Sequence, residues 1–196
     1  LDHYFDVNAQ ILRELEELKV KLGHTNLDVG GLNRVDSNIR AFRDSVESLS
    51  QLYRLRGFRD YGLEGQMRDA IHKVEDNQLL KPVDYLTLRR HEKDFILRGD
   101  WNYVKLFNEK VKSIEQNDSL TSELKRLLAL YARSFNNYAR VQKKIGLDIQ
   151  SGLTGYLYAE SDRVMEDFDD LFARLSSEAK VINTTLDTIA YALGLF

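Results

Sequence analysis

Leu124-Lys125-Arg126-Leu127-Leu128-Ala129-Leu130-Tyr131-Ala132-Arg133-Ser134-Phe135 opens the clearest stripe in the chain, which continues through Tyr138, Val141 and Ile145 and stops at Gly146. Its apolar residues return at steps of three and four, the period of an α-helix with one face in a core. The same period runs almost everywhere else. From Asn8 it passes through Ile11, Leu15, Leu18, Leu22, Thr25, Val29 and Leu32, slips once by three residues, and goes on through Val35, Ile39, Phe42, Val46, Leu49 and Tyr53. Taken as one helix over residues 5 to 56, this predicts a rod of roughly 75 Å. A second stripe starts at Leu63, Met67, Ala70, Ile71 and Val74 and resumes after Pro82 with Tyr85, Leu88, Phe95 and Ile96. It bends at Arg98-Gly99-Asp100, where Asp100 is the expected N-cap, and ends with Tyr103, Phe107, Val111 and Ile114. Asn117-Asp118-Ser119 marks a turn, and a last stripe runs from Leu157 to Ile189.

Composition agrees with this reading. One proline in 196 residues leaves few places where a helix must end, and 43% hydrophobic residues are enough to bury a core. The periodicity therefore predicts an all-α fold, an elongated antiparallel four-helix bundle of long arms, in a single domain over 1–196. Glycines mark the turns instead of prolines. Gly57 to Gly65 and Gly146 to Gly155 both read glycine, a spacer, then Gly-Leu-x-Gly. Two hairpins built alike would bring the two patches to one end of a bundle; chance likeness of glycine-rich turns is the competing explanation.

Several classes of function drop out. The chain has no cysteine, so disulfides, thiolate metal sites and cysteine nucleophiles are excluded. A net charge of -3 gives no footprint for nucleic acid or for an anionic membrane surface. No phosphate loop, nucleophile elbow or dinucleotide fingerprint is present, so no catalytic residue and no cofactor is assigned, and the chain is not read as an enzyme. The histidines are scattered; Asp69-Ala70-Ile71-His72 is a single Asp-x-x-His pair, and a di-iron bundle needs two with further glutamates, so no metal site is assigned. The acids Glu160, Asp162, Glu166, Asp167, Asp169 and Asp170 read as a solvated helix face. No charge-free run is long enough for a membrane span; Thr188 to Phe196 is the longest at either terminus. The chain begins at Leu1 and reads as a piece of a longer protein.

One segment puts charge where the pattern calls for apolar side chains. In Leu88-Arg89-Arg90-His91-Glu92-Lys93-Asp94-Phe95-Ile96-Leu97-Arg98-Gly99-Asp100, Glu92 falls on the inner stripe and Arg89 stands one turn before it. A charge there needs a partner. Two accounts supply one. In the first, Arg89, Glu92, Lys93 and Asp94 belong to an ion network, Arg89 pairing with Glu92 on one helix and Lys93 or Arg98 with acids on neighbouring helices. In the second, Arg89, Arg90, Lys93 and Arg98 line a pocket for a small carboxylate, held by two-pronged guanidinium bonds. Structural ion networks are common and pockets few, so the first takes precedence.

This run, with Gly62-Leu63-Glu64-Gly65-Gln66-Met67-Arg68-Asp69-Ala70-Ile71-His72-Lys73-Val74-Glu75 before it, resembles the helical bimodular sensor domain of bacterial chemoreceptors and sensor histidine kinases. The resemblance covers the middle third of the chain closely and the flanking helices by pattern alone. It implies two stacked helical modules, a periplasmic domain held between two spans of an inner-membrane protein, and a homodimer. It also implies a small organic acid as ligand or a periplasmic binding protein as partner; nucleic acid is not among the partners. The chain is short for the family, so a reduced module or a missing pocket is expected. Apart from the resemblance, the long helices also suit a plain protein-interaction scaffold.

Overall fold

The computed structural model describes residues 2–22, 29–77, 80–117 and 119–192, with the side chains of 2, 29, 181–183 and 186–192 outside the description. Most of the described residues are helical, in seven α-helices: α1 (Asp2–Leu22), α2 (Val29–Arg56), α3 (Gly62–Asp76), α4 (Pro82–Arg98), α5 (Asn102–Glu115), α6 (Ser122–Ile145) and α7 (Gly152–Ala192). They divide into two compact units, one of 1–46 with 157–196 and one of 47–156. Both divisions fall inside helices, in α2 and in α7.

The single rod expected over residues 5 to 56 is instead two helices. Lys19 on α1 and Asp36 on α2 form an ion pair of 3.2 Å. Seventeen residues of continuous helix would hold them about 25 Å apart, so the chain must reverse between them. The heptad register gave no sign of this, because both arms turn the same kind of stripe to one core. Leu12 and Leu15 of α1, Leu32, Val35 and Ile39 of α2, and Leu171 of α7 are buried together in the first unit. The linking residues 23–28 and the last residues 193–196 lie outside the description, as do the side chains of 188–192, so the terminal run Thr188–Phe196 falls outside the described side chains. Gly31 permits the close approach of α2 to α7: a Cβ there would stand 3.1 Å from Leu171 Cδ1.

The acidic stretch of α7 is not uniformly solvated. Glu160 is buried and pairs with Arg163, and Asp167 receives Asn38 and lies 3.7 Å from Arg34, both on α2. Asp170 also reaches Arg34, at 3.5 Å, so the acids of this stretch that pair with α2 include Asp167 and Asp170.

In the second unit, α3 packs along α6 and touches α4, α4 packs along α5, and α5 touches α6, so each of these helices has two neighbours among the others. Phe95, Phe107, Tyr131 and Phe135 fill the middle, with ring centroids 4.2 to 5.8 Å apart between neighbours. The second arm is three helices. Pro82 opens α4 where its missing N–H costs nothing, and Gly99 ends it with a left-handed φ of 65° and a bond from its N–H to Phe95 O. The N-cap position of α5 is Trp101, without a side-chain capping bond, and not the expected Asp100; Asp100, one residue earlier, accepts from Asn102 N through its Oδ1 at 2.8 Å. Thr121 caps α6 through Leu124 N.

The two glycine patches have one geometry. Gly62 and Gly152 take φ of 67° and 60°, and a Cβ on either would meet the Cα of Gly57 or Gly146 at 2.6 and 2.7 Å. Gly65 and Gly155 match in the same way, each with a Cβ position 2.3 Å from the carbonyl carbon five residues before it. Backbone lies directly on backbone at both corners, and only glycine allows that. Arg56, just before the first corner, donates to Gln142, just before the second, so both corners lie at one end of this unit. Gly99 joins them there, 3.4 Å from Leu147 by its Cβ position.

Candidate functional site

Between α3 and α4 lies a cleft of about 280 Å³. One face of α3 lines it with Glu64, Met67, Arg68, Ile71 and His72, at helical steps of three and four, and α4 contributes Arg89, Glu92 and Lys93. Met67 and Ile71 are core residues, so the floor is apolar and the rim charged. Arg89 reaches across to Glu75 of α3, Nη1 to Oε1 at 2.6 Å.

Arg89 therefore bridges two helices and is not paired with Glu92 on its own. That hydrogen bond to Glu75 holds the Arg89 guanidinium above its ordinary pKa, against the opposing effect of partial burial. The same-helix pair is Lys93 with Glu92, Nζ to Oε1 at 2.8 Å. Glu92 is 3% exposed, and its other oxygen accepts from the Tyr131 hydroxyl of α6. The Tyr131 phenol is pushed well above its usual range, first by burial and second by the neighbouring Glu92 carboxylate. Glu92 thus spans from the cleft wall to the aromatic core.

The four cations singled out on α4 are not brought together. Arg89 and Lys93 line the cleft, while Arg90 is exposed outside it and Arg98 pairs with Asp94 at 3.4 Å and lies over the Tyr103 ring. Helix geometry is the reason: Arg90 is about 100° round the axis from Arg89, and Arg98, nine residues on, about 180°. Asp94 joins Arg98, not the Glu92–Lys93 pair. Arg68, His72, Glu64 and the partner acid Glu75 all come from α3 and were not among the sequence candidates. They flank the α3 core stripe, a signal visible in the sequence, but which flank faces α4 is a property of packing.

Two other polar features mark this unit. Asn108 on α5 and Asn136 on α6 exchange amide hydrogen bonds of 2.9 and 2.8 Å, and each also donates to the carbonyl four residues before it. His91 is 9% exposed, its buried Nδ1 makes no hydrogen bond, and its ring lies 6.5 Å from that of Tyr103. Burial lowers its pKa, with the charges of Arg90 and Lys110 adding to the effect and Asp94 opposing it.

Among the described residues, no group of His, Asp or Glu side chains is placed to hold a metal ion, and no helix is long and apolar enough to cross a membrane. Comparison with protein-family models, with curated proteins and with solved structures gives no match.

Proposed function

We propose that this chain is the extracytoplasmic sensor domain of a transmembrane chemoreceptor or sensor kinase, acting as a homodimer, and that a small carboxylate binds in the α3–α4 cleft. One observation carries this reading: Arg89 and Lys93 from α4 converge with Arg68 and His72 from α3 above the apolar floor of Met67 and Ile71. Cations at the rim of an apolar cleft are what an organic anion requires, and a guanidinium can hold its carboxylate through two bonds. Arg89 and Lys93 already hold protein carboxylates, Glu75 and Glu92. A ligand carboxylate would compete with Glu75 and Glu92 for these cations, and the acid it displaces must then be met by water or by the remaining cations of the cleft, which sets a cost on binding.

The resemblance of 62–75 and 88–100 to helical bimodular sensors supports the same reading. On it, α3 to α6 form an antiparallel four-helix bundle, and the first unit belongs to a second module. A ligand acts only through its differential affinity for two helix arrangements, and α7, 41 residues long, is the natural output.

A thermal-shift screen of the chain against succinate, citrate, malate and acidic amino acids tests this. Direct binding gives dose-dependent stabilisation, of about 2.7 kcal/mol at a hundred times Kd. Arg89→Ala should abolish that shift while the helical circular dichroism persists. The reading fails if no acid stabilises the chain, or if Arg89→Ala keeps the full shift.

A further inference from the structure

The cleft between α3 and α4 lies wholly within the second unit, and its charges do not cancel. Its lining holds three cations, Arg68, Arg89 and Lys93, and each has an acid of its own. Arg68 pairs with Asp60 at 3.0 Å, Arg89 with Glu75 at 2.6 Å and Lys93 with Glu92 at 2.8 Å. Asp69, in the neighbouring hollow beside Arg68 and His72, is met by Lys73 at 2.7 Å. Glu64 is the acid left over. It is half-buried in the cleft wall and, among the described residues, takes part in no hydrogen bond or ion pair. The cleft and the partners of its cations therefore set four acids, Asp60, Glu64, Glu75 and Glu92, against three cations, with His72 taken as neutral.

The position of Glu64 does not force this isolation. Arg68 stands four residues on along α3, the spacing at which an acid and a base pair across one helical turn. Arg68 turns instead to Asp60, an exposed residue. The first turn of α3 does suit an acid, because the helix dipole favours negative charge there. That accounts for an acid at residue 64 but gives its oxygens no donor. The N–H that a glutamate in this place can reach back to is that of Tyr61, which is bonded to Phe58 O. The charge of Glu64 is also felt inside the unit. With that of Glu92 it helps to raise the pKa of the Tyr138 phenol, after burial itself and against Arg56, whose guanidinium donates to Gln142.

While the cleft is open to solvent, water serves Glu64. A ligand that fills the cleft removes that water, so it must bring donors of its own or leave a carboxylate unsatisfied. A plain organic acid does worse, since it sets a second carboxylate beside the first. An ammonium group carries three donors and the opposite charge. At about 280 Å³ the cleft is just under the roughly 300 to 1,000 Å³ of sites for drug-sized molecules, so its ligand is small.

We infer that the ligand of this cleft is an α-amino acid, its carboxylate held by Arg89 and its ammonium group by Glu64. The assignment rests on the reading of the cleft as a carboxylate site and narrows the ligand to an acid that carries a positive charge as well. Such a ligand also lowers the cost of competing with Glu75 and Glu92, because its ammonium group offsets the acid that its carboxylate displaces. A site built to meet an N–H group discriminates strongly against the analogue that lacks it.

Calorimetric titration of the whole chain with matched ligands tests this. L-aspartate is set against succinate and L-glutamate against glutarate, pairs that differ only in the α-ammonium group, with propylamine as an amine that has no carboxylate. Each amino acid should bind at least about tenfold more tightly than its partner, the difference expected when a charged hydrogen-bonding group goes unmet. Glu64→Gln keeps the shape, removes the charge and should close that gap, while Arg89→Ala should weaken all four acids. Glutamine suits a helix, so the variant should fold, as circular dichroism would check, and the matched pairs on the parent chain need no variant at all. Succinate and glutarate binding as tightly as aspartate and glutamate overturns the inference and leaves the sensor reading standing. Propylamine binding as tightly as aspartate overturns it too, as does a gap that survives Glu64→Gln. If none of these ligands binds, the inference falls, and the sensor reading is then decided by the wider screen of acids.

Discussion

The hydroxyl of Tyr131 on α6 donates to the buried carboxylate of Glu92 on α4, joining two helices of the second unit through its core. Tyr131→Phe would leave that carboxylate with Lys93 as its remaining partner among those found. A loss of about 1 to 3 kcal/mol is expected, since the cost is that of an acceptor left unsatisfied in a buried place. Urea denaturation at neutral pH measures it; a change under about 0.5 kcal/mol would mean that water already serves Glu92.

Tyr131 also sets an alkaline limit. Its pKa is raised in the folded chain, by burial first, and those of Tyr138 and Tyr4 are raised by burial as well. A phenol with a raised folded pKa stabilises the fold fully below the unfolded value of about 10, and that contribution is lost as pH climbs toward the folded value. Stability should therefore fall steadily above about pH 10, and Tyr131→Phe should flatten the fall.

His91 gives the opposite dependence. Its folded pKa is lowered, by burial first, so the neutral ring is favoured and its contribution is complete above the unfolded value of about 6.5. Stability should drop as pH falls through that value. His91→Phe, measured by urea melts at pH 7.5 and 5, should lose less on acidification than the parent; an equal loss would place the acid sensitivity elsewhere.

The matched glycine corners predict matched costs. Gly62→Ala and Gly152→Ala each add a Cβ within 2.7 Å of backbone at positive φ, and each should cost roughly 2 to 4 kcal/mol in melts. Gly99→Ala meets its nearest atom at 3.4 Å and should cost only about 1 kcal/mol, the conformational part alone. Costs in the reverse order would refute the shared geometry.

The reversal between α1 and α2 is open to a direct chemical test. Lys19→Cys with Asp36→Cys should be joined within one chain by a short bismaleimide cross-linker, since the native side chains of these two positions meet at 3.2 Å. A continuous helix would hold the two thiols about 25 Å apart, beyond the reach of such a linker.

Helix content was legible along the whole chain because a stripe at steps of three and four has one main physical reading, a helix with one face buried. Pro82 and Gly99 bound α4 as their backbone chemistry requires, and Glu92 stood out as a charge on a core stripe; these are local facts, carried by residues close in sequence. The likeness of the two glycine corners was visible as well, since backbone packed on backbone admits no other residue.

What the sequence left open is what depends on neighbours distant along the chain. The stripe from Asn8 to Tyr53 keeps its register whether the chain runs straight or doubles back, because both arms bury the same face; only the pairing of Lys19 with Asp36 distinguishes them. Arg89 had an acid one turn away in Glu92, yet its bond is to Glu75, because helix packing points the guanidinium across to α3. The same packing separates Arg98 from Arg89 and brings Arg68 and His72 in beside it. Periodicity fixes which face of each helix is buried; which helix lies against that face is decided by the whole core at once.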